Sequence, residues 1–247
     1  MNSYTSLAKI YDYLMQEESE KWNAFILKSL QKYKNLDSGI DFGCGMGKLT
    51  KLLSEKGYKM IGIDASIPML NNAIEECENL QVKPEFLALD ILKFKTKEKR
   101  DFALCINDVL NYIPQSKFSK FFAVINDSVK VGGIFIFDIS SAHKMERILD
   151  GQMYGGDYGD FSLIWQNEKV KDKLYMDLTF FLPDGNGKFD KYTEQHTQYL
   201  HTETVIDFYL DLYGFQIIKK TAHLGKKLTE TADRIVYICR KKKWIRF

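Results

Sequence analysis

Residues Ile40 to Thr50 read IDFGCGMGKLT, with three glycines in five positions (Gly43, Gly45 and Gly47) and an aspartate, Asp41, two residues before the first. An apolar run leads into this loop and a helical pattern leaves it. Glycine lets a backbone approach a ligand closely and adopt positive φ. What the loop holds depends on the fold around it, and that fold is read from the rhythm on either side.

Downstream, short apolar runs alternate with helical stretches. Ser38–Gly43, Lys59–Asp64, Glu85–Asp90, Asp101–Asn107 and Ile134–Ile139 read as strands. Between them Gly47–Lys56, Ser66–Asn79 and Gln115–Lys130 read as helices, the last stopped by Gly132-Gly133. Ser66 is placed to cap its helix, and Pro68 falls in the first turn, where a missing N–H costs little. Near-continuous apolar strands alternating with helices predict an α/β fold, a doubly wound, mainly parallel sheet covered on both faces. Thr202–Tyr213 supplies a further helix, and Phe215–Thr221 and Arg234–Arg240 two more strands, seven in all.

Upstream, Tyr4, Leu7, Ala8, Tyr11, Leu14 and Met15 recur at helical spacing, as do Trp22, Phe25, Ile26, Ser29, Leu30 and Tyr33. Two amphipathic helices are expected. Between Ser141 and Leu200 the strand–helix rhythm breaks. MYGGDYGD (Met153–Asp160) reads as a loop, Leu163–Asn167 and Leu174–Leu182 as strands, and Lys188–Leu200 as a longer strand after Asp184-Gly185-Asn186-Gly187. Turn dipeptides between strand-like runs signal a hairpin. The chain therefore divides into a core of residues 1–140 and 201–247 and an antiparallel insertion of residues 141–200.

The 247 residues are 45% hydrophobic and 28% charged, an ordinary balance for a globular protein with a sizeable core. A net charge of +2 argues against a dominant nucleic-acid or membrane surface. The basic cluster Arg240-Lys241-Lys242-Lys243 with Arg246 reads as a solvated tail. Cys44, Cys77, Cys105 and Cys239 form no CxxC pair, and the last two lie in apolar runs, a pattern suited to a reducing cytoplasm. The N-terminus lacks the basic start and apolar block of a signal peptide, and no apolar run approaches the roughly 18 residues of a membrane span. His143, His201 and His223 form no ligand set, and no metal is expected.

A parallel α/β sheet binds ligands at the carboxyl ends of its strands. Here those ends carry the glycine loop, Asp64, Asp90 and Asn107-Asp108. The dinucleotide fingerprint G-x-G-x-x-G seats a pyrophosphate on a helix N-terminus. This loop departs from it: the third glycine, Gly47, comes one residue early. Asp41 would repel a phosphate but suits a ligand bearing an ammonium group. Asp64, 23 residues after Asp41, stands where a carboxylate grips ribose hydroxyls. The competing reading is that Asp64 and Asp90 merely cap loops, as aspartates at strand ends often do.

DFGCGMG, then IGIDAS with Met69 following, then LALDI, then NDVLNYI resembles the motif series of class I S-adenosylmethionine-dependent methyltransferases. The resemblance covers Ser38–Ser140 well and Thr202–Arg240 more loosely. The N-terminal stretch with Trp22 resembles small bacterial members acting on small molecules. The resemblance implies a Rossmann-like methyltransferase fold, S-adenosyl-L-methionine as cofactor, and a role for each matched residue. Asp41 would face the methionine ammonium, and Gly43, Cys44 and Gly45 would line the methionine. Asp64 would hold the ribose hydroxyls. Ala65 and Met69 would flank the adenine, Asp90 would accept from its amino group, and Ile91 would pack on the ring. Asn107 would offer backbone near the sulfonium, and Tyr11 and Trp22 would close over the methionine end. Plain core packing is the competing reading for these two.

In the insertion, Tyr192, Glu194, His196 and Gln198 alternate and so share one strand face. That face, with Trp165, would line an acceptor pocket, His196 being the one candidate base. A solvated outer face is the competing reading. The expected activity is methyl transfer to a small molecule at an amine or hydroxyl, by a monomer or homodimer. The alternatives are transfer to tRNA or protein, a binding protein without turnover, and, against the glycine spacing, a nicotinamide oxidoreductase.

Overall fold

The computed structural model describes residues 8–242, with residues 8–18 as helical backbone only. The chain opens with one helix, α1 (Ala8–Leu30), in place of the two expected. No glycine or proline interrupts the stretch between the two apolar sets, so the helix runs straight through. Strands β1 (Ser38–Phe42), β2 (Lys59–Asp64), β3 (Glu85–Ala88) and β4 (Arg100–Cys105) follow, with helices α2 (Lys48–Glu55) and α3 (Ile67–Glu76) between them. Helix α4 (Phe118–Ser128) leads into β5 (Val129–Ser140). The helix thus ends earlier than expected. Val129 is already extended and fully buried, and Gly132, at φ 84°, bends the strand instead of stopping the helix.

These strands join β10 (Phe215–Ala222) and β11 (Arg234–Lys241) in one sheet ordered β10-β11-β5-β4-β1-β2-β3. β3, β2, β1, β4 and β5 are parallel neighbours, whereas β11 runs antiparallel to both β5 and β10. Strand order reverses between β1 and β4, and a crevice opens at such a point in a doubly wound sheet.

The pleat sorts the core into two layers. Ile40, Phe42, Phe135, Phe137 and Tyr237 face α4 and α5 (Glu203–Leu212) through a cluster that includes Phe118, Phe121 and Phe122. Their strand neighbours Ile134, Ile136, Val236 and Ile238 point the other way, against Trp22, Ile26 and Leu30 of α1 and Leu49 and Leu53 of α2. Each fully buried phenylalanine contributes about 1.5–3 kcal/mol relative to exposure.

The second sheet is antiparallel, ordered β6-β7-β8-β9, from β6 (Met153–Asp157), β7 (Ser162–Val170), β8 (Lys173–Pro183) and β9 (Phe189–Tyr199). Half of the expected MYGGDYGD loop is therefore a strand, β6, paired with β7 from Met153↔Gln166 to Asp157↔Ser162. Glycines hid it from propensity, and the partner strand supplies the order. Leu174, Met176, Leu178 and Phe180 of β8 stand opposite Gln198, His196, Glu194 and Tyr192 of β9. This face is covered by Met145 and Leu149 of a π-helical turn, Lys144–Leu149, and by Tyr112. It is a packed face, so the solvated alternative does not hold for Glu194, His196 and Gln198, all buried.

The basic C-terminal run is also not a free tail as far as Lys242. Arg240 lies over the Tyr33 ring at 5.6 Å, and Lys241 is fully buried. The Lys241 ammonium donates to the Asn126 and Val129 carbonyls, satisfying acceptors at the end of α4. Residues 243–247, with Lys243 and Arg246, lie outside the described residues. No described helix is long and apolar enough to cross a membrane. All four cysteines are free thiols, with Cys105 and Cys239 buried as their apolar runs suggested.

Candidate functional site

A cavity of about 490 Å³ opens at the carboxyl ends of β1, β2 and β4. Its floor is the loop that the opening stretch encodes. Gly43 and Cys44 donate their N–H groups to the Ile63 carbonyl at 2.7 and 3.0 Å, pinning the loop to β2. Gly43 has φ 77°, and a Cβ there would lie 2.5 Å from Val109 Cγ2. Gly45 has φ 54°, and a Cβ there would meet only the Met69 sulfur, at 3.6 Å.

Two carboxylates frame the loop. Asp41, 3% exposed, accepts from the Thr50 hydroxyl at 2.7 Å. Burial pushes its carboxyl up to about 6; the Thr50 hydrogen bond opposes this, and the nearby Asp64 charge adds to it. Asp64 accepts from the Gly45 N–H at 2.9 Å and the Ser66 N–H at 2.8 Å. Burial raises its carboxyl too, against those backbone donors. The two oxygens keep lone pairs for a bound diol. Burial also holds the Cys44 thiol well above its usual range, so it stays protonated.

Ala65, Met69, Asp90, Ile91 and Leu92 form one wall, apolar around a single exposed carboxylate. Asp90 caps the following 3₁₀ turn by accepting from the Leu92 N–H at 2.9 Å, and its second oxygen has no such duty. At the β4 end, Asn107 and Asp108 both adopt left-handed backbone, φ 62° and 50°. Their N–H groups converge on the buried Asp138 carboxylate at 2.7 and 3.0 Å. This is a backbone nest filled from inside the protein. The N–H of Asn107 is therefore committed, and its carbonyl is the backbone group left for a ligand.

The rest of the lining comes from α1, from the turn after β4 and from the adjoining ends of β10 and β11. Ser19, Trp22 and Asn23 belong to it, with Tyr112, His223 and Arg234. Trp22 stacks on the His223 ring at 4.8 Å, and the Arg234 guanidinium lies 5.3 Å from the Trp22 ring. Arg234 pairs with Asp138 and, at 3.5 Å, with Asp108. Asp108 also accepts from Gln198 of β9 at 2.6 Å. Burial works to raise the Asp108 carboxyl, but Arg234, Lys144 and its hydrogen-bond donors outweigh it and hold it below the usual range. Burial keeps Asp138 raised against the pull of Arg234.

Of the residues singled out in the sequence, Trp22, Asp41, Gly43, Cys44, Gly45, Asp64, Ala65, Met69, Asp90, Ile91 and Asn107 line one cavity. The Tyr11 side chain lies outside the described residues. Trp165, Tyr192, Glu194 and His196 are not in the lining. They sit behind it, with Glu194 and His196 paired at 3.2 Å and the His196 ring edge-on to Tyr112 at 6.2 Å. Trp165 and Tyr192 pack on the insertion's apolar cluster. Two missed wall residues had a signal in the order of elements. His223 follows β10, an edge strand that runs in the same direction as the parallel strands. Arg234 begins β11, whose antiparallel direction brings its first residue to the edge where the parallel strands end.

Residues 40–133 match the family model described as a methyltransferase domain. Over 246 residues the chain is 28% identical to a provisionally named methyltransferase of Geobacillus sp. (strain WCH70), covering 97% of this chain and 100% of that one. It superposes on the crystal structure of a S-adenosylmethionine-dependent methyltransferase from Clostridium acetobutylicum ATCC 824 with a TM-score of 0.89 and 28% identity, over 97% of this chain and 99% of that one. CalS10 of Micromonospora echinaspora, an amino pentose methyltransferase solved with S-adenosylmethionine bound, is similar in fold at a TM-score of 0.76 and 13% identity, over 98% and 99%.

Proposed function

We propose that this chain, a class I S-adenosylmethionine-dependent methyltransferase, passes the methyl group to a small-molecule acceptor at an amine or hydroxyl. The observation that carries the acceptor class is the shape of the site. The cavity is a recess of about 490 Å³ with α1 and the turn after β4 both in its lining. That lies within the roughly 300–1,000 Å³ typical of small-molecule sites. The amino pentose methyltransferase that shares the fold agrees with this class as analogy only.

The donor set fits the cofactor. A buried carboxylate, Asp41, suits an ammonium group, and Asp64 suits the ribose diol. Met69, Ile91 and Leu92 make a slot for a flat ring, with Ala65 at its edge and Asp90 in reach of an exocyclic amine. Gly43, Cys44 and Gly45 would give a backbone surface for the methionine chain, and the Asn107 carbonyl would be the backbone acceptor near the sulfonium. Trp22 covers the methionine end, with Tyr11 on the same helix as its proposed companion. When bound, S-adenosyl-L-methionine supplies an activated methyl group on a sulfonium. The protein's share is then to hold acceptor and sulfur in line and to keep water out. An amine entering neutral needs no dedicated base.

Residues 141–200 act in this reading as the lid of a core made by 1–140 and 201–247. Tyr112 is the point of contact with the acceptor. Trp165, Tyr192, Glu194 and His196 bear on the reaction by fixing the lid behind Tyr112. Four free thiols and no disulfide suit a reducing, cytoplasmic setting. Transfer to RNA has less support, because Arg240 and Lys241 are packed into the fold instead of displayed.

The test is a panel of small amines and hydroxyl compounds, bulk tRNA and protein extract, each incubated with the enzyme and labelled cofactor. Label in one or more small molecules is expected. Label only in tRNA or protein would overturn the small-molecule reading, and cofactor binding without label anywhere would favour a sensor.

A further inference from the structure

We infer that Arg234 is a positioning residue for the methionine end of the cofactor, acting through Trp22 on one side and Asn107 on the other. The inference rests on the cofactor placement proposed above and not on the acceptor. Arg234 lies where four chain segments meet. Its guanidinium pairs with Asp138 at the end of β5 and with Asp108 after β4. Its face lies against Trp22 of α1. Through Asp108 it reaches Gln198 on β9 of the lid.

Each arm has a separate consequence. Asp138 is completely buried, and its carboxylate holds the Asn107 and Asp108 amides in left-handed backbone. Without a cation beside it, that carboxylate would take a proton and become a poorer acceptor for both amides. Asn107, which lines the cavity, would then lose the backbone geometry that aims its carbonyl. The other arm sets the cavity wall. The Trp22 ring stacks on His223 at 4.8 Å and has the Arg234 guanidinium 5.3 Å away, two contacts that restrict the indole. The fork is required, because one planar guanidinium meets two carboxylates and an aromatic face at once. A lysine ammonium supplies the charge without that geometry.

The experiment measures S-adenosylhomocysteine binding to wild type, Arg234→Lys, Arg234→Ala and Asp64→Ala by calorimetry, well below each variant's melting temperature. Both Arg234 variants are expected to bind roughly ten- to a hundredfold more weakly. Sub-denaturing guanidinium should restore part of the affinity of Arg234→Ala, and potassium chloride of equal ionic strength should not. In wild type, the homocysteine ligand should slow hydrogen exchange at the Asn107 and Asp108 amides, although both point away from the cavity onto Asp138. Near-wild-type binding by Arg234→Lys, equal rescue by potassium, or unchanged exchange at those amides would overturn the inference. If Asp64→Ala also binds normally, the fault lies instead in the cofactor placement. The wild-type exchange measurement stands even if the substituted proteins fail to fold.

Discussion

The Asp64 carboxylate at the end of β2 accepts the Gly45 amide at 2.9 Å, so the group proposed to hold a ribose diol also ties down the glycine loop at the end of β1. Ligand contact and loop geometry therefore share one side chain. Asp64→Asn should lose more than a ribose contact, because an amide can turn only one acceptor toward the Gly45 and Ser66 donors. S-adenosylhomocysteine affinity should fall about a hundredfold, two steps of 1.4 kcal/mol. Exchange at the Gly45 amide should speed up in the ligand-free protein. Loss of affinity with no change at Gly45 would separate the two roles and contradict this reading.

Asp41 sets a pH dependence. Its carboxyl is raised from 3.8 to about 6 by burial in the ligand-free protein, and an arriving ammonium would lower it. Cofactor affinity should therefore decline as pH falls through 6, with proton release on binding near that pH. The sign for stability is the reverse. A raised folded value gives a contribution present below the unfolded value and lost as pH rises through about 6. Asp41→Asn should accordingly melt higher than wild type at pH 8, by up to about 3 kcal/mol in stability, while binding cofactor more weakly. Calorimetry across pH 5–8 and thermal melts of both proteins check the pair of effects.

The glycines of the loop and of an ordinary turn should differ in cost. Gly57 has φ 90° with open space around it, so Gly57→Ala carries left-handed strain alone, roughly 1–2 kcal/mol. Gly43→Ala adds a methyl 2.5 Å from Val109 and should cost roughly 1–3 kcal/mol more. Adding Val109→Ala should recover part of the second term and none of the first. Equal melting temperatures for Gly43→Ala and Gly57→Ala would show that Val109 yields freely.

On the packed face of the second sheet, Glu194 and His196 pair at 3.2 Å, with side chains 6% and 3% exposed. Breaking a buried pair leaves a polar group stranded, whereas replacing both partners often costs little. His196→Leu should destabilise by about 1–3 kcal/mol, the cost of leaving a buried polar group without its partner. Glu194→Leu together with His196→Leu should be more stable than His196→Leu alone. Denaturant melts of the two single variants and the double variant give the comparison.

Much of the site was legible because its chemistry is local. Three glycines, an aspartate two residues earlier, and aspartates closing successive apolar runs identify the carboxyl edge of a parallel sheet without coordinates. One helix cap was equally plain: Ser66 accepts from the Met69 N–H as its position implied. Elements whose order depends on a partner were not legible. β6 looks like a loop until β7 pairs with it, and α4 stops at Ser128 because Val129 is needed by the sheet.

The sequence by itself determined the alternation of strands and helices, the glycine loop and the carboxylates that frame it. Each follows from short-range sterics and from where a side chain falls on its own strand. Tertiary structure alone decided that Arg234 and His223 complete the cavity wall, that Glu194 and His196 turn inward behind Tyr112, and that Lys241 is buried at the end of α4. These contacts join residues far apart in the sequence, as Trp22 and Arg234 are. The direction of β11 and the face the lid presents to the core set them, and neither is written in any local pattern.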